Sequence, residues 1–141
     1  MDFKDVVNNR HTTRSFKNEE VDFESIKRIL DAGLKAPSNN HLREWEFIVI
    51  TNKERIKEVI KKIPKTSSEK RTDFIINSWR LKDETQIKMY QDAIPKQYTM
   101  LYNAGALIIP LFKNKKNILE AKNLSDLNGF ASMWCVIENI F

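Results

Sequence analysis

Glycine is scarce in this chain: Gly33, Gly105 and Gly129 are the only three among 141 residues. So far apart, they can form neither a G-x-G-x-x-G dinucleotide fingerprint nor a P-loop, so any bound phosphate must be held by side chains or by a helix N-terminus. Cysteine is scarcer still. Cys135 stands alone, which excludes an intramolecular disulfide and points to a reducing compartment. Because it lies in an apolar stretch, it is expected to be a buried small hydrophobe rather than a reactive thiol. No run of about 18 apolar residues is available to span a bilayer, and the N-terminus MDFKDVVNNR lacks the basic-then-apolar profile of a secretory signal. A soluble cytoplasmic protein with no membrane partner is expected.

What is present describes an ordinary globular chain. An apolar fraction of 41%, with 10% aromatics, suffices for one core at this length without metal or disulfide support. The net charge of +5 raises nucleic-acid binding as a possibility. It is weighed lightly, because the lysines are interleaved with Glu and Asp and form no sustained basic stripe. The densest basic segment, Lys61 to Arg71, lacks interleaved aromatics and reads as a solvated helix end and loop.

Periodicity divides the chain into elements. After a short segment around Phe3 to Val7, the clearest helix runs from about Asp22 to Lys35, with Asp22 as N-cap and Phe23, Ile26, Leu30 and Leu34 as one apolar face. Pro37 closes it. Trp45 to Ile50 reads as a buried strand, followed by a capping box of Thr51 with Glu54 that opens a helix to about Lys62. Helical period returns from about Phe74 and again near Lys88 to Ala93, in a middle stretch whose polarity blurs the boundaries. Ala104 to Phe112 is a second strand, with Pro110 assigning its last residues to an edge or terminus. One helical turn is expected within Lys113 to Lys122. A strongly apolar helix then starts at Ser125 or Asp126 and carries Leu127, Phe130, Met133, Trp134, Ile137, Ile140 and Phe141 with no stop signal. Such an end calls for a covering partner chain or for further residues.

Two polar constellations could carry chemistry. In Arg10-His11-Thr12-Thr13-Arg14-Ser15-Phe16, an extended backbone would put Arg10, Thr12 and Arg14 on one side. Guanidinium forks suit phosphate oxygens, whereas two solvated surface arginines are the plainer alternative. The second, Ala36-Pro37-Ser38-Asn39-Asn40-His41-Leu42-Arg43-Glu44-Trp45, is a polar loop leading into a buried strand. It offers amides and polar side chains beside an apolar wall, a setting for a flat heteroaromatic ring. The plainer alternative is that the asparagines tolerate turn geometry and Trp45 is core.

Taken in order, RHTTRSF, a helix, then APSNNHLREWEF leading into FIVI closely resembles the amino-terminal half of the FMN-dependent nitroreductase family. Members of that family carry R-[RH]-[ST]-x-[RK]-x-[FY] and then [AS]-P-S-x-x-N-x-Q-P-W-x-F. NAGALIIPLF and DLNGFASMWCVIENIF extend the likeness across nearly the whole chain. The resemblance implies an α+β fold with a central, mainly antiparallel or mixed sheet flanked by helices. The long central helix would lie at a dimer interface, with residues 1–141 forming one domain that lacks the C-terminal part of the family fold. It further implies FMN as cofactor and NAD(P)H as co-substrate. Electrons would pass to a nitroaromatic, a quinone or a similar small acceptor in an intertwined homodimer.

Position by position, the resemblance places Arg10, His11, Thr12 and Arg14 along the ribityl phosphate and the adjoining flavin edge. Pro37, Ser38, Asn39 and His41 fall at the isoalloxazine ring, and Trp45 anchors the loop to the core. No catalytic side chain and no metal site are assigned. The chain departs from the pattern at His41, which stands for Asn, and at Arg43-Glu44, which stand for Gln-Pro. Three other readings remain open: a fold remnant without flavin, an FMN enzyme of different chemistry such as reductive dehalogenation or flavin fragmentation, and, more distantly, nucleic-acid binding.

Overall fold

Along the described residues of the computed structural model, 2–113 and 117–141, helices alternate with two strands. The order is α1 (Phe3–Asn9), α2 (Phe23–Leu34), β1 (Trp45–Ile50), α3 (Lys53–Val59), α4 (Glu69–Ser78), α5 (Glu84–Ala93), α6 (Gln97–Asn103), β2 (Leu107–Phe112) and α7 (Asn128–Ile140). Short 3-10 turns occupy Asn39–His41, Ile94–Lys96, Ile118–Glu120 and Leu124–Leu127. The architecture is α+β. No described helix is long and apolar enough to cross a membrane.

The chain divides into two units. The first comprises Met1–Arg10, Val21–Val49 and Ile108–Phe141. Its strands β1 and β2 pair with each other, and the Lys113 N–H just past β2 donates to the Glu44 carbonyl just before β1 at 2.9 Å. The end of one strand therefore meets the start of the other, which makes the pair antiparallel. Among the described residues both strands keep an open edge, a position that tolerates Pro110 inside β2.

Helix α2 forms where the sequence placed it, because the Asp22 carboxylate accepts the Ser25 N–H at 2.8 Å and the Ser25 hydroxyl at 2.6 Å. Those two bonds and the nearby Arg28 hold the Asp22 carboxyl below its ordinary value. The helix buries a narrower face than expected: Ile26 and Gly33 are buried, while Phe23 (75%) and Leu34 (42%) stay exposed. The reason lies in its packing against α7. A Cβ on Gly33 would stand 2.9 Å from Ile140 Cγ1 and 3.3 Å from Val136 Cγ1, so the two helices approach through the glycine. The core of this unit is Ala36, Met133 and Val136, with Trp45, Phe47, Phe112, Ile137 and Ile140 packed around it. Cys135, expected to be buried, is exposed. It stands two residues after Met133 and one before Val136, about 160° and 100° from them around a 3.6-residue helix, which turns it away from the core they share.

The second unit comprises His11–Glu20 and Ile50–Leu107. Helix α3 is capped one residue later than the expected Thr51 box: the Asn52 side chain accepts the Arg55 N–H at 3.0 Å. Lys53 then ties α3 to the end of α6, its ammonium donating to the carbonyls of Tyr102 (2.8 Å) and Ala104 (2.9 Å) and lying over the Tyr102 ring. Ile56, Ile60, Ile76 and Ile94 are buried in this unit. The blurred middle stretch resolves into three helices, since Ser68 caps α4, Asp83 caps α5, and Pro95 falls in the 3-10 turn joining α5 to α6. Of the expected turn between 113 and 122, Ile118–Glu120 is seen as 3-10, while residues 114–116 lie outside the described residues. The last helix is entered through the 3-10 turn Leu124–Leu127, where the Asn123 side chain accepts the Asp126 N–H at 3.1 Å.

Candidate functional site

The loop between α2 and β1 is wound more tightly than its composition suggests. Ser38 is extended, and then Asn40 (φ 50°), His41 (φ 56°) and Arg43 (φ 49°) all take the left-handed region. The Leu42 N–H donates to the Asn39 carbonyl at 3.1 Å across Asn40 and His41. With both central residues at positive φ, this is a type I′ turn. Asparagine tolerates that conformation, whereas each non-glycine residue held there costs roughly 1–2 kcal/mol. Backbone strain of this kind persists only where surrounding contacts over-determine it, and it concentrates at functional sites.

The contacts that hold the turn come from the loop itself and from α7. Within the loop, the Arg43 N–H donates to Ser38 Oγ at 3.2 Å and the Trp45 N–H to the Arg43 carbonyl at 2.9 Å. From α7, Ser132 Oγ accepts the Asn39 N–H at 3.0 Å, and Asn128 Nδ2 donates to Asn39 Oδ1 at 3.2 Å. Ser132 is itself oriented, because its hydroxyl donates back to the Asn128 carbonyl at 2.8 Å.

Between the loop, the entry to α7 and the end of β2 lies a cavity of about 170 Å³. Ser38, Asn39, Leu42, Arg43, Trp45 and Lys113 are among the residues that line it, together with Asn128 and Ser132. At that size it takes one edge of a flat ring, being smaller than the roughly 300–1,000 Å³ that encloses a drug-sized ligand. The wall chemistry suits such an edge. Trp45 and Leu42 are apolar, the Ser38 hydroxyl and the Asn39 amide can donate, and Arg43 and Lys113 bring positive charge, with Glu44 3.8 Å from the Lys113 ammonium.

The residues expected at a site divide between the two units. Ser38 and Asn39 line this cavity, while Pro37 and His41 are exposed and are not among its lining residues. Trp45 packs on the core as well as lining the cavity. Arg10 is exposed at the end of α1 in the first unit. His11, Thr12 and Arg14 belong to the second. There Arg14 is half-buried and lines a separate cavity of about 330 Å³ with Phe16, Met89, Lys96 and Met100. Among the described residues its guanidinium meets a weak acceptor, Met89 Sδ, at 3.9 Å, while Lys96 pairs with Asp92.

The motifs passed over Asn128, Ser132 and Lys113. The first two stand four residues apart on one helix face, a spacing that carries no signal until the loop is seen to dock there.

Known proteins resemble this chain in sequence and in fold. Over 59 residues, 42% of this chain and 31% of the relative, the sequence is 36% identical to a Methanothermobacter thermautotrophicus protein named as an NADH dehydrogenase/NAD(P)H nitroreductase. It is 33% identical to the iodotyrosine deiodinase of Sus scrofa over 73 residues, 50% of this chain and 25% of that protein. A nitroreductase with bound FMN from Bacteroides fragilis superposes with a TM-score of 0.62 at 20% identity, covering 97% of this chain and 60% of the other. The matched segments thus make up at most about a third of the two sequence relatives. At 20% identity the structural likeness speaks for the fold alone. The ordered motifs, the strained loop before β1 and all but the last turn of the long helix that fastens it fall inside residues 7–138, the span matched by the nitroreductase family model, and the chain belongs to that family.

Proposed function

We propose that this chain is a flavoprotein oxidoreductase that holds FMN and passes electrons from NAD(P)H to a nitroaromatic, quinone or similar small acceptor. The observation that carries the reading is the strained loop 38–43, fastened to α7 and opening onto a cavity with one apolar wall and several donors. That donor set fits the pyrimidine edge of an isoalloxazine ring, whose carbonyl oxygens need donors and whose face needs an apolar neighbour. Ser38 and Asn39 would meet the ring, with Pro37 and His41 flanking it in the same loop. Arg10, His11, Thr12 and Arg14 would meet the phosphate and the adjoining flavin edge, as a chain without a glycine-rich loop requires. When bound, FMN supplies the redox chemistry, and the protein contributes binding, orientation and electrostatics.

A homodimer accompanies this reading. Trp134 on α7 is 55% exposed and Phe141 just past it 75%, and such apolar surface calls for cover. A cytoplasmic location agrees with the single, unpaired cysteine.

The test is flavin retention. The purified protein is expected to show the visible absorbance of bound FMN, and Arg10→Ala and Arg14→Ala each lower the fraction retained through dialysis. Full occupancy in both variants would overturn the phosphate assignment, and a colourless protein that takes up no FMN would favour the remnant reading.

A second reading keeps FMN and changes the acceptor to a halogenated aromatic, which the likeness to iodotyrosine deiodinase favours. After stoichiometric reduction with NADPH, reoxidation by nitroaromatics and quinones supports the first reading. Reoxidation by iodinated phenols with release of iodide supports the second.

A further inference from the structure

We infer that Ser132, assisted by Asn128, is the positioning residue of the site. It holds loop 38–43 in its strained form from outside the loop and thereby sets how tightly flavin binds. The inference rests on the flavin reading above and goes beyond it by assigning a role to two residues outside both motifs.

Three left-handed residues in a four-residue span, none of them glycine, have easier conformations within reach. The loop's internal bonds do not by themselves select the observed form. The His41 N–H to Ser38 carbonyl and Leu42 N–H to Asn39 carbonyl bonds link residues three apart, a spacing that ordinary turns of negative φ close equally well. Beyond the Arg43 N–H to Ser38 Oγ bond, whose acceptor is a rotatable hydroxyl inside the loop, selection comes from the two bonds that fix Asn39 at both its backbone N–H and its side-chain oxygen. Both partners project from one face of α7, whose Met133 and Val136 are core residues, so the anchor point is rigid. Ser132 occupies the centre. Its oxygen accepts from Asn39 while its hydrogen is committed to the Asn128 carbonyl, which leaves the lone pair aimed at the loop. Ser38 keeps its hydroxyl hydrogen for a ligand, its oxygen accepting from the Arg43 N–H, and Asn39 keeps its side-chain amide hydrogens while Ser132 and Asn128 take up its backbone N–H and side-chain oxygen.

The experiment compares Ser132→Ala with Ser132→Thr, which retains the oxygen, and with Asn128→Ala, which removes the second tether from a half-buried position. Amide hydrogen exchange at Asn39 is followed by NMR in the flavin-free protein, with the Ile56 amide of the second unit as a control, and FMN affinity is measured by fluorescence titration. Loss of one hydrogen bond corresponds to about a 3- to 10-fold change. Ser132→Ala is expected to speed Asn39 exchange and weaken FMN binding by that factor, with the Ile56 amide unchanged. Ser132→Thr is expected to restore both to within about twofold, and Asn128→Ala to give a smaller change in the same direction.

Unchanged exchange at Asn39 in Ser132→Ala would overturn the anchoring role. Faster exchange with unchanged FMN affinity would overturn the positioning role. Weakening by Ser132→Thr as large as by Ser132→Ala, with the Ile56 amide also faster, would reduce Ser132 to a general structural residue. If the parent protein takes up no FMN, the flavin reading itself fails and this inference with it. That outcome is distinct from a parent that binds FMN and a Ser132→Ala variant that binds it equally well.

Discussion

Replacing Val136 with alanine tests the packing on which the site is built. Val136 is fully buried in the small core of the first unit, with Ala36 and Met133, and its Cγ1 faces the Gly33 crossing of α2 and α7. Two buried methyl groups are lost, worth about 0.8 kcal/mol each in transfer free energy. A void on the order of 40 Å³, at roughly 24 cal/mol per Å³, adds about 1 kcal/mol if nothing relaxes. The half-buried ends of Ile137 and Ile140 can move partway into it, so the expected loss is about 2 kcal/mol. Urea unfolding followed by tryptophan fluorescence, at one fixed protein concentration, should show a lower midpoint with an unchanged slope. The melting temperature should fall by about 8 °C. Cys135→Ser is the control in the adjacent position: as an exposed residue it should shift stability by no more than about 0.5 kcal/mol. A loss below about 0.5 kcal/mol for Val136→Ala, or a larger loss for Cys135→Ser than for Val136→Ala, would refute this account of which face of α7 is inside.

Two further expectations concern helix starts. Asn52→Ala should cost roughly 0.5–2 kcal/mol while Thr51→Ala changes little, because the side chain that accepts the Arg55 N–H is that of Asn52; the reverse order in thermal melts would restore the Thr51 cap. Asp22→Ala should lower the melting temperature at neutral pH, and its difference from the parent should close in acid. The folded carboxyl titrates below its unfolded value, chiefly through the Ser25 hydrogen bonds, so its contribution is full above the ordinary carboxylate range and is lost as pH falls through the folded value. A gap that stays constant well below the ordinary carboxylate range would deny the charge any part in the cap.

Much of the local structure could be read from residue order because it depends on neighbours in sequence. Asp22 caps α2, the β-branched and aromatic run Trp45–Ile50 is a strand, and both motifs fall inside the matched family span, as their order and spacing indicate. Boundaries were lost where several candidates compete for one job. Thr51 and Asn52 are both good caps, and which one accepts the Arg55 N–H depends on how the chain leaves β1. Cys135 is exposed where its apolar surroundings indicate burial, because a helix apolar nearly all round does not declare its inner face. That face is chosen by what α2 offers, and it offers Gly33 to Val136 and Ile140.

By itself, the amino-acid sequence determined α2, both strands, the apolar last helix, the absence of a glycine-rich phosphate loop and the family, all of which rest on residue type and short spacing. Only the tertiary structure decided that three residues of loop 38–43 are left-handed, that Ser132 and Asn128 hold the loop there, and that Ser38 and Asn39 share a cavity with Lys113. The physical reason is separation along the chain. Asn39 and Ser132 are 93 residues apart, and a hydrogen bond between them exists only once α7 has packed against α2 and brought its polar face to the loop.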